Sequence, residues 1–443
     1  MSETRATLSR RTLLGGSLAL AALGSSVAAA PAAPARNRFP RGFLFGAAIS
    51  AHQSEGNDVN SDSWLLEHLP STVFREPSGD ACDSWDRYAE DLDLARAIGL
   101  NCYRFGIEWA RIEPEPARFS VAALDHYRRM LEACHARGLA PILSYNHFTV
   151  PLWFARRGGW EAPDSPDLFA RYCARATEAL GDLIAMAAPF NEANIHLLAR
   201  VLRQGLPADY FEKRRRMIAD AAAATASPAF SSLLFADADR IDGNLLAAQR
   251  RGRQAIKAGP GDFPVGVTLS TQYYEGVGDG NVAAEMERRS YGDWWRAVEE
   301  SDFVGVQTYM RLRYDAHGPV PPPAGAELTG AGYEYYPAAL GHVIRRARQL
   351  TTRPIYVTET GIATDDDRRR VAWIDATLAE VAQCIAEAID VRSYIYWSLL
   401  DNFEWSSGYG PHFGLAAVDR ASFRRTLKPS ARHFDARIRA GHF

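Results

Sequence analysis

Residues 83–107 read DSWDRYAEDLDLARAIGLNCYRFGI, and this stretch decides the fold. Trp85, Tyr88, Ala89, Leu92 and Ala95 recur at three- and four-residue spacing, which predicts a helix with one apolar face. Asp83 or Ser84 stands at its N-cap and Gly99 just past its end. The pattern then changes, because Cys102–Ile107 is short and largely apolar and predicts a strand. The unit repeats at once. Val121, Leu124, Tyr127, Leu131 and Cys134 share a helical face, Gly138 supplies the stop, and Ala140–His147 predicts the next strand.

Extended outward, the alternation gives eight candidate strands: Phe43–Ser50, Cys102–Ile107, Ala140–His147, Ala185–Glu192, Pro264–Ser270, Asp302–Tyr309, Pro354–Glu359 and Ser393–Leu399. Eight strands joined by helical crossovers predict an α/β fold, a single (β/α)8 TIM barrel, with its chemistry at the C-terminal strand ends. No Pro/Ser/Gly linker divides residues 36–443. The clusters Lys213–Arg216 and Asp365–Arg370 read as solvated helical or loop faces.

A 443-residue chain that is 47% hydrophobic and 23% charged can bury a large core, which excludes a disordered polymer. Fifty Lys+Arg against 53 Asp+Glu leave −3, which gives no reason to expect nucleic acid as a partner. Residues 1–35 are set apart. Arg10-Arg11 precedes an apolar run, Leu13–Leu23, and a small-residue stretch, Ser25–Ala35, which together predict a removable export signal of the twin-arginine type. That run is too short for a bilayer that needs about 20 residues. The expectation is a bacterial protein, periplasmic or secreted, exported already folded and held to no membrane once the signal is gone. Cys82, Cys102, Cys134, Cys173 and Cys384 are odd in number and form no C-x-x-C pair, so they read as buried thiols rather than a metal or disulfide framework. A single Cys82–Cys102 bridge is the alternative.

Three strands carry a polar or charged group toward the rim: Asn191-Glu192 on the fourth, Glu359 on the seventh and Arg104 on the second. A lone Glu there is as readily a salt-bridge partner. Two carboxylates beside a guanidinium point instead to acid/base or nucleophilic chemistry, as in retaining glycosidases, where the two carboxyls stand about 5 Å apart.

At these residues the chain resembles glycoside hydrolase family 1, the β-glucosidase family. Nine blocks carry the resemblance in order: Phe43–Gly56 (FLFGAAISAHQSEG), Tyr103–Ile112 (YRFGIEWARI), His147-Phe148 with Pro151, Arg157–Trp160 (RGGW), Phe190–Glu192 (FNE), Val357–Gly361 (VTETG), Trp397–Trp405 (WSLLDNFEW), Phe413–Leu415 (FGL) and Lys428–Arg432 (KPSAR). The block ending Asp-Asn-Phe-Glu-Trp is the most specific. The resemblance implies that Glu359 is the nucleophile and Glu192 the acid/base, with Arg104, Tyr309 and Asn191 assisting. It implies that Arg104 and Tyr309 donate to Glu359 and lower its pKa, while the charge on Glu359 raises that of Glu192. It places Gln53, His147, Trp397, Glu404, Trp405 and Phe413 around the sugar, where amide, imidazole and carboxylate groups bond hydroxyls and indole faces cover C–H surfaces. A carboxylate at Glu404 facing O4 and O6 would repel a 6-phosphate.

The chain departs from the family at Ala193 (usually Pro), Thr360 (usually Asn), Gln307-Thr308-Tyr309 (usually Asn-Tyr-Tyr) and Thr149 (usually Asp). These departures bear on the orientation of Asn191 and on glycone preference. Ala199–Ile241 matches the family poorly; following strand four, it should border the aglycone, with Tyr210, Phe211 and Lys213–Arg216 selecting an unusual leaving group. The expectation is a retaining β-glycosidase acting on a small, unphosphorylated β-linked glycoside, with no cofactor and no metal. Its alternatives are a β-glycosidase of other specificity (galactoside, fucoside, plant or steroid glycoside), a transglycosylase, or a non-catalytic sugar-binding protein.

Overall fold

The computed structural model describes residues 39–203 and 207–441, and all eight predicted strands form within them. They are β1 Leu44–Ala48, β2 Cys102–Gly106, β3 Ala140–Asn146, β4 Met186–Phe190, β5 Val267–Ser270, β6 Val304–Gln307, β7 Ile355–Thr360 and β8 Val391–Trp397. Neighbours in the order β4-β3-β2-β1-β8-β7-β6-β5 all pair in parallel. The ring closes between β4 and β5 through one parallel bridge, Ala187 to Val265, where the Ala187 N–H donates to Pro264 O and the Gly266 N–H to Ala187 O, each at 3.0 Å. The chain is a (β/α)8 barrel. The predicted Ala185–Glu192 overruns β4, since Asn191 and Glu192 lie just past its end, in the loop.

The strands are buried on both faces, which is why they read as apolar runs without clean alternation. Their residues still divide by period two. On β2, Cys102 packs inside the barrel with Ala48, Ile142, Met186 and Ile395, whereas Tyr103 and Phe105 pack outward with Leu143, Ala187 and Val267. Gly46 belongs to the inner layer: a Cβ there would lie 2.5 Å from Cys102 Sγ. All five cysteines are buried free thiols. Cys102 Sγ faces Gly46 inside the barrel, while the Cys82 thiol donates to Asp401 O at 3.5 Å, so the alternative bridge does not form.

The two helices first read from periodicity span Ser84–Ala97 and Val121–Ala136. Ser120 caps the second by accepting from Ala123 N. Asp83 occupies the first helix's N-cap in a left-handed conformation, and its carboxylate bonds Arg87 Nε rather than the backbone. Three features depart from the sequence expectation. A small sheet of Tyr273–Gly276, Arg311–Asp315 and Gly318–Val320 follows β5 and β6 on the site side of the barrel. Ala416–Val418 pairs antiparallel with Arg425–Leu427. The Asp365–Arg370 cluster is not simply solvated: Asp366 caps helix Asp367–Ala386, and the buried Arg370 donates to Thr364 O and His412 O. The predicted export signal, residues 1–35, lies outside the described residues. Among the described residues no helix is long and apolar enough to cross a membrane.

Candidate active site

Glu359 lies one residue from the end of β7, with both carboxylate oxygens occupied. Arg104 Nη1 donates to Oε1 at 2.5 Å and the Tyr309 hydroxyl to Oε2 at 2.6 Å. Arg104 can reach it because β2 places residue 104 two positions beyond Cys102, on the same inner face and nearer the strand's C-terminal end. Its other nitrogen, Nη2, bonds Asn191 Oδ1 at 2.5 Å and Ser144 Oγ at 3.1 Å. One guanidinium thus ties β7 to β3 and to the loop after β4.

That loop turns sharply. Glu192 sits at φ 43°, in the left-handed region that non-glycine residues seldom adopt and that here costs on the order of 1 kcal/mol. The surrounding bonds hold it there. Asn191 N–H donates to Asn146 O at 2.8 Å and Ala193 N–H to Thr268 O at 2.9 Å. The Glu192 N–H is shared between Thr268 Oγ1 at 3.2 Å and Gln307 Oε1 at 3.3 Å. Gln307 Nε2 also donates to Asn191 Oδ1 at 2.8 Å. Gln307, one of the family departures, therefore fixes the orientation of Asn191 together with Arg104. Thr149, another departure, donates to the buried Glu108 at 2.7 Å, where an aspartate would set two carboxylates against each other.

Burial pushes both glutamates above the usual carboxylate range. For Glu359 the charge of Arg104 and the Tyr309 hydroxyl pull back, as the sequence suggested, but burial outweighs them, so its pKa is raised rather than lowered. Glu192 goes up to about 8, by burial first and then by the charge on Glu359. With two direct donors, Glu359 is the first of the pair to ionise.

Ten of the eleven predicted site residues line one cavity of about 310 Å³, and Arg104 is buried beneath it. His147 stacks on Trp397 with ring centroids 5.6 Å apart, and its Nε2 lies 3.1 Å from Asn191 Nδ2. Asn191 Oδ1 is already an acceptor, so Nδ2 donates to the ring; burial and Arg104 keep His147 well below its ordinary pKa, and it stays neutral. Across the cavity, Trp397 Nε1 and Gln53 Nε2 donate to the two oxygens of Glu404 at 3.2 and 3.4 Å. Phe413 meets the Tyr309 ring edge-on at 6.0 Å.

Sequence reasoning missed the residue behind Trp405. His52 lies parallel to the Trp405 ring at 5.6 Å and is gripped by Asp58 at 3.0 Å and Glu67 at 2.7 Å. Those two carboxylates overcome burial and raise its pKa to about 10, so the imidazolium is a fixed cation under a wall of the sugar site. His52 stood inside a quoted block, but nothing in the spacing announced its partners. Phe74, Leu198 and Leu234, which line the outer cavity, were also missed, while Tyr210 lines it as expected. Among the described residues no group of three or more His, Cys, Asp or Glu is placed to hold a metal ion.

Comparison with known proteins agrees with this geometry. The family model described as glycosyl hydrolase family 1 matches residues 35–245 and 305–443. The match thus includes Ala199–Ile241 and breaks instead at 246–304, which holds β5. The solved structure of the β-glycosidase BGL167 is 45% identical, covers 91% of this chain and 98% of its own, and superposes with a TM-score of 0.87. The apo structure of β-glucosidase 1317 is 41% identical over 91% of this chain and 99% of its own, with a TM-score of 0.86. A β-glucosidase of Agrobacterium sp. is 30% identical over 90% of this chain and 95% of its own. With its two rim glutamates at the C-terminal ends of the fourth and seventh strands of a matching barrel, the chain belongs to glycosyl hydrolase family 1, the retaining β-glycosidases.

Proposed function

We propose that the chain hydrolyses unphosphorylated β-glucosides, with Glu359 as nucleophile and Glu192 as acid/base. The observation that carries the assignment is the unequal bonding of the two carboxyls: Arg104 and Tyr309 donate to Glu359, and neither donates to Glu192. Glu359, ionised first, attacks the anomeric carbon as the bond to the aglycone breaks, and Glu192 gives its proton to the leaving oxygen. The new ester cancels the charge that held Glu192 protonated. Glu192 then takes a proton from water, whose oxygen displaces Glu359, and two inversions return the β configuration. The glucose reading rests on relatives named β-glucosidases. Exclusion of 6-phosphates rests on Glu404: burial pushes its carboxyl well above the usual range, the Trp397 and Gln53 donors pull it back toward the charged form, and a buried carboxyl at the O4/O6 edge leaves no cation there to receive a phosphate.

Rescue chemistry tests the roles. Glu359→Gly should abolish hydrolysis and recover turnover with azide, giving the inverted α-azide. Glu192→Ala should slow poor leaving groups far more than activated aryl ones, and azide should then give the β-azide. Swapped products would exchange the two roles.

We further propose that residues 1–35 are a twin-arginine export signal and that the enzyme works in the periplasm or outside the cell. The reading is supported by Arg10-Arg11 and the short apolar run Leu13–Leu23. Replacing both arginines with lysine should leave precursor in the cytoplasm; normal export of that variant would overturn it.

A further inference from the structure

Beyond the two glutamates the cavity wall turns apolar, with Phe74, Leu198, Tyr210, Leu234 and Phe235. Arg203 and Phe235 line both this cavity and a second cleft beside it, so the two are contiguous. The second cleft has five arginines, Arg200, Arg203, Arg214, Arg215 and Arg240, against a single carboxylate, Asp237.

The nearby carboxylates are already engaged. Asp239 pairs with Arg200, Glu161 pairs with Arg240, and Asp242 holds His196 and Trp294. Asp237 caps helix Ala238–Ala258 by accepting from Asp239 N at 3.0 Å. Arg203 and Arg214 are left with backbone carbonyls alone: Arg203 donates to Leu234 O at 2.6 Å, and Arg214 to Phe235 O and to Ala236 O at 3.1 Å. Both guanidiniums therefore grip the same three-residue segment, 234–236. Neither makes an ion pair among the described residues, and Arg214 Nε is buried without a partner. Burial and the charge of Arg203 hold Arg214 below its ordinary pKa, and the opposing pull of Tyr210 and Asp237 does not offset them.

We propose that the aglycone site takes an aromatic leaving group bearing a carboxylate, the ring against Tyr210 and Phe235 and the carboxylate between Arg203 and Arg214. The inference rests on the β-glucosidase reading and adds the class of aglycone. A guanidinium keeps a planar fork of donors that fits a carboxylate, and an anion here would relieve the repulsion between the two arginines. An apolar wall next to two neighbouring arginines that make no ion pair among the described residues suits a ligand that is aromatic at one end and anionic at the other.

The test compares the β-glucoside of 4-hydroxycinnamic acid with that of its methyl ester, measured on the same enzyme preparation. The phenol leaving groups are closely similar, so the ratio of kcat/KM reads the carboxylate. The wild-type ratio should favour the acid about tenfold at low salt and shrink as salt rises. In Arg203→Gln and Arg214→Gln the ratio should fall toward one, and in Arg214→Lys, which keeps the charge, it should stay largely intact. Because each ratio comes from one preparation, loss of folded enzyme cancels. Hydrolysis of the ester with no preference for the acid, or a preference that survives the double Gln variant, overturns the aglycone inference alone. Failure to hydrolyse either glucoside overturns the β-glucosidase reading beneath it.

Discussion

In the proposed cycle Glu192 lends its proton to the leaving oxygen and regains one from water, and the environment that keeps the proton on also makes the residue costly to the fold. In the unfolded chain it ionises near 4.5, while in the folded protein it holds its proton to about 8. Between those values only the unfolded chain gains by losing the proton, so the residue's contribution to stability falls as pH rises from 4.5 to 8 and then levels off. Activity follows the same group: kcat/KM should decline as pH rises through about 8, because the leaving oxygen then finds no acid. Glu192→Gln has no proton to lose. Its stability relative to wild type should therefore increase between pH 5 and pH 9, by about 2–4 kcal/mol, measured by urea unfolding at the two pH values. A difference independent of pH would mean that Glu192 is not held protonated by the fold.

At the scale of elements, what could be read from sequence was whatever repeats locally. Helix Val121–Ala136 announced itself through apolar spacing, Ser120 and Gly138, each within a few residues of the others. The strands were legible as apolar runs because both faces are buried, and their ends were blurred for the same reason: Asn191 and Glu192 continue the run of β4 into a buried loop. The reactive carboxylates came from strand ends and from the family blocks. Their supports could not be read in this way, because Gln307 meets Glu192 from another strand across 115 residues of chain. His52 finds Glu67 through folding rather than periodicity. The small sheet after β5 and β6 escaped for a different reason. Its strand Tyr273–Gly276 is only partly buried and four residues long, too short to show any period.

For the molecule as a whole, the site rests on the barrel's filling. Arg104, which ties Glu359 to Asn191, stands two residues beyond Cys102 on the same inner face, so the layer around Cys102 is its floor. Gly46 pairs with Cys102 in register, and a methyl at 46 would lie 2.5 Å from Cys102 Sγ, 3.1 Å from Cys102 O and 3.4 Å from Ile395 Cγ1. In an open strand, Gly→Ala would stiffen the unfolded chain and stabilise the protein slightly. Here the closed ring leaves the neighbours nowhere to go, and Gly46→Ala should cost about 1–3 kcal/mol. Cys102→Ala alone leaves a small void and should cost about 1–2 kcal/mol. Together they should cost less than their sum, because the new methyl fills the space the sulfur vacates, with a coupling of at least about 1 kcal/mol. Thermal unfolding of the four proteins measures the cycle, and kcat on an aryl β-glucoside reads whether Arg104 has moved with its floor. Additive stabilities would show that the ring flexes around residue 46. A Gly46→Ala variant that is less stable yet fully active would show that Arg104 is held by Glu359 and Asn191 rather than by the layer below.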